Sequence, residues 1–187
     1  MISHYRQLAD IHTHTPGRPD ALLSLLPEQF SPTVDTPFSL SLHPWYLGDD
    51  SVDAFHRTLA ECHDHPWLMG IGECGLDLRC PTPIGLQQAA FLASLKAARD
   101  LHLPTIVHCV GAWGSLQSFV RQVWGNGGAH AALEADAPII IHGFRKGPQL
   151  ASQLLAEGFC LSLGRRYNEA VLPLIPPDRL FHESDED

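Results

Sequence analysis

Residues 137–142 read APIIIH. Three consecutive isoleucines follow Ala-Pro, and a histidine closes the run. An unbroken apolar stretch of this length suits a strand buried on both faces, as strands of parallel sheets are. The same form recurs along the chain at 8–14 (LADIHTH), 38–43 (FSLSLH), 68–75 (LMGIGECG), 104–109 (PTIVHC), 159–164 (FCLSLG) and 179–184 (RLFHES). A weaker run lies at 21–26 (ALLSLL). Amphipathic stretches separate them. Residues 51–63 place Val52, Phe55 and Leu59 on one side, with Ser51 as the cap. Residues 84–102 carry a stripe of Leu86, Ala90, Ala93, Ala97 and Leu101 behind Pro83, which suits a first helical turn. Further helices are predicted at 115–124, at 148–157 ahead of Gly158, and at 167–174. The loops 27–37 and 125–136 read as irregular.

Strands alternating with helices predict an α/β fold with parallel strands, and eight strands predict a TIM-like (β/α) barrel. The barrel is expected to be trimmed or distorted. Only six residues, Thr15 to Asp20, join the first strand to the second. A parallel crossover usually takes about a dozen or more. The last helix is expected to be absent, since the chain ends two residues after Asp185.

The 187 residues predict a single domain over 1–187, and 44% hydrophobic residues suffice for a sizeable core. No apolar run is long enough for a membrane span, and the N-terminus lacks the basic and apolar regions of a secretory signal, so a cytoplasmic protein without a membrane partner is expected. Five cysteines without a CxxC pair argue against a disulfide scaffold. A net charge of −9 disfavours sequence-blind adhesion to nucleic acid or membrane through global charge. A phosphate-bearing substrate stays open where bound cations reverse the local sign. Histidine stands out, with 12 residues against 12 Lys and Arg together. It is the commonest metal ligand.

Ionisable residues recur at the C-terminal ends of the predicted strands: His12 and His14, His43, Glu73, His108, His142, and finally Glu183 and Asp185. That is the face on which parallel barrels carry their chemistry. Side chains two apart share a side of a strand, so His12 and His14 can face one cation, with Asp10 a layer deeper. Glu183 and Asp185 share a side likewise, while His182 points away. Each residue alone has a plain structural reading: a hydrogen-bonded buried histidine, a satisfied carboxylate, an acidic tail. Burying them together at one strand end is unfavourable unless a cation offsets the carboxylates and uses the imidazole lone pairs.

With these residues in place, the chain resembles the TatD family of metal-dependent deoxyribonucleases. The stretches that carry the resemblance are DIHTH, SLHPWYL, GIGECGLD, LPTIVHC, IIIHGF, CLSLG and HESD, in the family's order along nearly the whole chain. HPWY and CPTP resemble its shorter members. The resemblance implies a TIM-like barrel with one or two divalent cations. One would take His12, His14, Glu73 and Asp185. The second would take Glu73, His108 and His142, with Glu73 bridging and Glu183 behind. Ser184 stands where the family usually has threonine. Cys109-Val110-Gly111 replaces a stretch in which many members carry arginine.

Imidazole-rich sites with carboxylates suit Zn, Mn, Fe, Co or Ni better than an all-oxygen Mg site. Two bridged cations can hold a hydroxide for attack on phosphorus, with Glu73 and Asp185 as catalytic residues and Asp185 accepting or orienting the proton. His43 would contact substrate, support the ligands, or simply shape a turn. Arg18, Arg79, Arg145, Lys146, Arg165 and Arg166 all follow predicted strands, which would gather phosphates locally. Of these, Arg79, Arg145, Lys146 and Arg165, with His43, are the expected substrate-binding residues. Trp45 and Trp113 could stack on bases, although packing is favoured. Cys74 and Cys109 turn to the opposite face as packing residues. The expected function is a metal-dependent hydrolase of phosphodiester bonds acting on DNA, as monomer or homodimer. The alternatives are a metallohydrolase of a small ester, lactone or amide, and a non-catalytic metal-binding remnant.

Overall fold

The structure, a computed structural model, describes residues 4–185. Eight strands run in chain order through one sheet: β1 (Asp10–Thr13), β2 (Ala21–Leu25), β3 (Phe38–Leu42), β4 (Leu68–Asp77), β5 (Thr105–Val110), β6 (Ile139–Ile141), β7 (Cys160–Leu163) and β8 (Leu180–His182). Each pairs in parallel with the next. Every run read as a strand is one, including the weaker ALLSLL, with limits shifted by a few residues. The helices are α1 (Ser51–Cys62), α2 (Ile84–Leu101), α3 (Trp113–Trp124), α4 (Ala129–Glu134) and α5 (Pro148–Ala156).

The barrel is trimmed on its outside. Among the described residues, the crossovers β1–β2, β2–β3 and β7–β8 carry no α-helix. Residues 14–20 suffice for the first, contrary to the usual crossover length. An extended chain reaches about 3.3–3.6 Å per residue, and the path back along a four-residue strand is about 13 Å. Seven residues make that return without a helix.

Four local readings change. The 167–174 segment is a 3₁₀ turn, Glu169–Leu174, because Pro173 lacks the N–H an α-helix would use. The 125–136 loop contains α4, because Ala129 and Ala132 are buried beneath it. Ser51 does not cap α1; its Oγ accepts from the Gly48 N–H at 2.8 Å, which tightens the preceding turn. The inward face of α2 is rotated from the expected stripe: Ala90 and Ala97 are buried as expected, but they are joined by Gln87, Phe91, Ser94, Leu95 and Ala98. The two polar members are satisfied there. Gln87 accepts from the Asp77 N–H at 2.8 Å and donates to the Thr82 carbonyl at 2.8 Å. Ser94 donates to the Ala90 carbonyl at 3.0 Å.

Apolar residues between sheet and helices form two clusters, one around Phe91, Leu116, Ile139 and Phe159, the other around Phe38, Phe55 and Ile71. Leu22, Ile106, Ile140 and Cys160 pack in a third cluster. They lie two residues before Ser24, His108, His142 and Ser162, hence one layer deeper on the same strand faces.

Among the described residues no ladder joins β8 to β1. Side chains close that seam. Asp10 Oδ1 accepts from the backbone N–H of His12 and of Ser184, both at 3.1 Å. Asp10 Oδ2 accepts from Arg18 at 2.5 Å and from the Ser184 hydroxyl. Arg18 also donates to Ser184 Oγ at 2.8 Å. One buried carboxylate thus ties the first strand to the residues that follow the last.

Strands β4 and β5 approach so closely that two positions exclude a side chain. A Cβ on Gly72 would lie 2.2 Å from the Ile106 carbonyl oxygen, and one on Gly75 2.0 Å from that of His108. Both adopt positive φ, 125° and 141°. Gly75→Ala is expected to lower the unfolding free energy by at least about 1–3 kcal/mol. Gly48→Ala, where a Cβ meets nothing within 4 Å, should stay within about 0.5 kcal/mol of the parent in the same denaturant titration.

Candidate metal centre

The two close-approach glycines flank Glu73, whose backbone is held from two neighbouring strands. Its N–H donates to Ser24 Oγ at 3.3 Å, and its carbonyl accepts from Ser41 Oγ at 2.7 Å. The side chain is buried at the C-terminal end of the strands. Its two oxygens face different partners. Oε1 lies 2.9 Å from His43 Nε2, 2.9 Å from His108 Nδ1 and 2.8 Å from His142 Nε2. Oε2 lies 3.2 Å from His12 Nε2 and 3.5 Å from His14 Nε2. Asp185 sits at the mouth, its Oδ1 3.7 Å from His12 and 3.8 Å from His14, and its Oδ2 3.8 Å from His142 Nδ1. All six residues expected to share one hollow therefore do so. They fall into overlapping groups spaced for ligation: His12, His14 and Glu73; His12, His142 and Asp185; and His43, Glu73 and His108.

The donor set fits divalent cations. His12 is fully buried, yet among the described residues neither of its ring nitrogens has a hydrogen-bond partner, nor does His142 Nδ1. Three ring nitrogens crowd the single oxygen Oε1, more than its two lone pairs can accept from. Donor atoms about 2.0–2.1 Å from a cation stand roughly 3–3.5 Å apart, close to the separations found. Burial alone would raise the Glu73 carboxyl, but His142, His108 and His12 outweigh it and hold Glu73 ionised well below the usual range. Burial acts to lower His142; Glu73 and Glu183 override it and raise the imidazole well above its ordinary value. The Glu73 contact raises His14 as well. Glu183, buried 3.8 Å from His142 Nδ1, is pushed up by burial and drawn down further by His142, to about 2. A centre that keeps its carboxylates charged and its imidazoles proton-hungry has strong affinity for positive charge.

Asp77, unassigned in the sequence reading, is the residue behind His108. It is fully buried, and its Oδ2 lies 3.0 Å from His108 Nε2 and accepts from the Trp45 indole N–H at 3.0 Å. Its Oδ1 accepts from the Arg79 N–H at 2.8 Å. Burial would raise this carboxyl; Trp45, His108 and the Arg79 N–H hold it at about 2. An ionised Asp77 holds His108 by Nε2, so Nδ1 is the ring nitrogen turned to Glu73. The signal was the four-residue spacing from Glu73 in GIGECGLD, which on an even count returns Asp77 to the same strand face.

Of the three parts read for His43, the structure shows support of the ligands and shaping of the turn. Its Nδ1 accepts from the Trp45 N–H at 3.2 Å. A neutral imidazole accepting at Nδ1 carries its proton on Nε2, so His43 donates to Glu73 Oε1 and orients it. Trp45 is not packing: it is 45% exposed and hydrogen-bonded through its indole.

Beside the cluster opens a cavity of about 290 Å³, lined by His108, His142 and Asp185 together with Arg79, Trp113, Arg145 and Lys146. Arg165 is exposed and outside that lining. Arg18 is engaged by Asp10 and Asp20 on the seam, at 2.5 and 3.5 Å. Cys74 and Cys109 pack in the core as expected, and burial lifts both thiols to about 12. The cysteines are free thiols. No helix among the described residues is long and apolar enough to cross a membrane.

An eight-stranded parallel barrel with imidazoles and carboxylates converging at its C-terminal rim is a TIM-like barrel with a candidate metal centre. The chain belongs to the TatD related DNase family, whose model matches residues 33–186. It is similar to the 3'-5' ssDNA/RNA exonuclease TatD of Rahnella sp. (strain Y9602), 35% identical over 144 aligned positions that cover 72% of this chain and 50% of that one. The same-named protein of Erwinia tasmaniensis is 32% identical over 155 positions, 77% of this chain and 55% of that one. The chain thus spans about half the length of the curated relatives it matches. In fold it is similar to the TatD homologue YJJV of Escherichia coli K12, with a TM-score of 0.70 and 19% identity over 95% of this chain and 78% of that one. A TatD family hydrolase of Entamoeba histolytica superposes with a TM-score of 0.63 at 17% identity, over 88% of this chain and 59% of that one.

Asp77→Asn removes the charge that fixes the His108 tautomer. It is expected to weaken divalent-cation affinity by about 10–100-fold, read by competition with a chromophoric chelator, while the far-UV circular dichroism stays that of the parent.

Proposed function

We propose that this chain is a divalent-metal-dependent hydrolase of phosphodiester bonds in nucleic acid strands, with DNA as the leading substrate. The observation that carries the reading is the Glu73 carboxylate, whose two oxygens face two imidazole groups beside a cavity that also presents Arg79, Arg145 and Lys146. Family membership and relatives named as exonucleases support it. His12, His14 and Asp185 would hold one cation and His108 and His142 a second, with Glu73 between them. The imidazole-rich donor set favours Zn, Mn, Co or Ni. Bound there, the cations would supply an activated water and neutralise charge on the phosphoryl oxygens.

The protein's own groups do the rest. Asp185 is the carboxylate that lies both against His12 and His14 and on the cavity wall, so it is placed to take a proton from the attacking water. Asp10 fixes its backbone through Ser184. His43 and Asp77 keep Glu73 and His108 in one orientation each. Arg79 and Lys146 pair with phosphate oxygens and compensate locally for a chain of net charge −9.

Glu73→Gln is expected to lower metal occupancy and to reduce hydrolysis by about 100-fold or more. Elemental analysis measures the first. A panel of single-stranded DNA, bis(p-nitrophenyl) phosphate and a lactone, each assayed with Mn²⁺ and after chelation, measures the second. Turnover of the lactone alone would overturn the phosphodiesterase reading.

A further inference from the structure

Helix α2 buries two polar side chains and uses them differently. Ser94 donates to the Ala90 carbonyl of its own helix at 3.0 Å. Gln87, 1% exposed, turns its amide away from the helix and onto the end of β4. Strand β3 stays in register with β4 as far as Leu42 opposite Cys74, so Asp77 lies past the end of β3. On the other side the Leu78 N–H continues the ladder with β5, donating to the Val110 carbonyl at 3.0 Å. In a parallel ladder the groups of the preceding residue point the opposite way, so those of Asp77 turn from β5 to α2. There Gln87 Oε1 accepts from the Asp77 N–H at 2.8 Å, and Gln87 Nε2 donates to the Asp77 carbonyl at 3.2 Å. A primary amide carries an acceptor and a donor in one plane, so it stands in for the peptide that β3 no longer supplies.

The same amide reaches the loop that leaves β4. Its Nε2 donates to the Thr82 carbonyl at 2.8 Å and to Cys80 Sγ at 3.0 Å. The Cys80 thiol in turn donates to the Pro44 carbonyl at 3.7 Å. Pro44 belongs to the turn after β3, in which the Trp45 N–H donates to His43 Nδ1 and the Trp45 indole donates to Asp77 Oδ2. Two routes thus run from one side chain to the centre. The first passes through Asp77, whose Oδ2 lies 3.0 Å from His108 Nε2. The second passes through Cys80 and Pro44 to His43. Both histidines stand 2.9 Å from Glu73 Oε1.

We propose that Gln87 is a positioning residue for the metal centre: as a surrogate peptide at the end of β4 it fixes where the Asp77 carboxylate falls, and through Asp77 it keeps His108 aimed at Glu73. The inference rests on the metal-centre reading above and extends it to a residue of the surrounding helix. Removing the amide leaves both peptide groups of Asp77 buried without these partners, and the strand end has to move to find others. The Asp77 carboxylate hangs on that backbone, so it moves too. A hydrogen bond such as the one to His108 weakens steeply when its distance or angle changes. The role of Gln87 therefore differs in kind from that of Ser94, which is equally buried on the same helix but bonded within it.

Competition with a chromophoric chelator for Mn²⁺, on the full chain, tests this. Gln87→Met, close in length and apolar, is expected to weaken cation affinity by about 10-fold. Gln87→Asn keeps an amide that is one methylene too short to span both groups of Asp77. It is expected to lose affinity in the same direction, so the result does not hang on the apolar variant folding. Ser94→Ala removes the other buried polar group of α2 and should bind like the parent. In an Asp77→Asn background Gln87→Met should add less than about 2-fold, since the two residues act in series. Histidine ring-nitrogen NMR spectra, recorded with and without Zn²⁺, give a second readout: the His108 resonances should shift in both Gln87 variants and stay in place in Ser94→Ala. Gln87 variants that unfold more readily yet keep the parent's affinity and His108 resonances would overturn the proposal. So would a Gln87→Met loss repeated in full on top of that of Asp77→Asn. A parent that binds no cation removes the metal-centre reading, and the His108 resonances then still decide whether Gln87 positions that ring.

Discussion

A single buried carboxylate organises this molecule. Glu73 sits among five imidazoles, three on one oxygen and two on the other. Placing an anion there is unfavourable unless positive charge accompanies it, whether protons on the histidines or cations between them. The surrounding structure is arranged to keep that charge in place. Serines from β2 and β3 hold its backbone, and glycines on either side let β5 approach without a clash. Other groups then fix the histidines: Asp77 for His108, the Trp45 N–H for His43. Each supporting bond removes a rotation or a tautomer from a group that faces the centre, and such preorganisation is what a metal site requires of its surroundings.

The trimmed architecture places a second demand on side chains. With three crossovers lacking helices, and with no ladder from β8 to β1 among the described residues, Asp10 supplies the closure that backbone pairing supplies elsewhere. It binds the His12 and Ser184 amides with one oxygen, so two groups of the centre, His12 and Asp185, are positioned by the same carboxylate. Stability of the seam and geometry of the site are therefore coupled. Arg18 neutralises Asp10 there, which explains why a cation that follows a strand is not on the substrate face.

Much was legible along the chain. Buried parallel strands are uninterrupted apolar runs, so eight strands could be read in order from local composition, and the even spacing of strand faces predicted that His12 would accompany His14 and that Cys74 would turn away. The rotated face of α2 was not legible, because Gln87 and Ser94 look like surface residues until their buried hydrogen bonds are seen. Which of the three parts read for His43 it takes was hidden for a similar reason. Which nitrogen carries its proton depends on the amide of Trp45, two residues on, and nothing in the residue type reveals that the turn brings the two together.

The amino-acid order by itself determined the alternation of elements, the parallel barrel, and the ionisable residues placed at strand ends. These follow from local hydrophobicity and from the two-residue period of a strand, which need no knowledge of distant neighbours. Only the tertiary structure decided that Glu73 divides its oxygens between two imidazole groups, that Asp77 stands behind His108, and that Asp10 joins the first strand to the residues after the last. Those relations span up to 174 positions. They depend on the closure of the sheet, a property of the whole chain in space rather than of any segment of it.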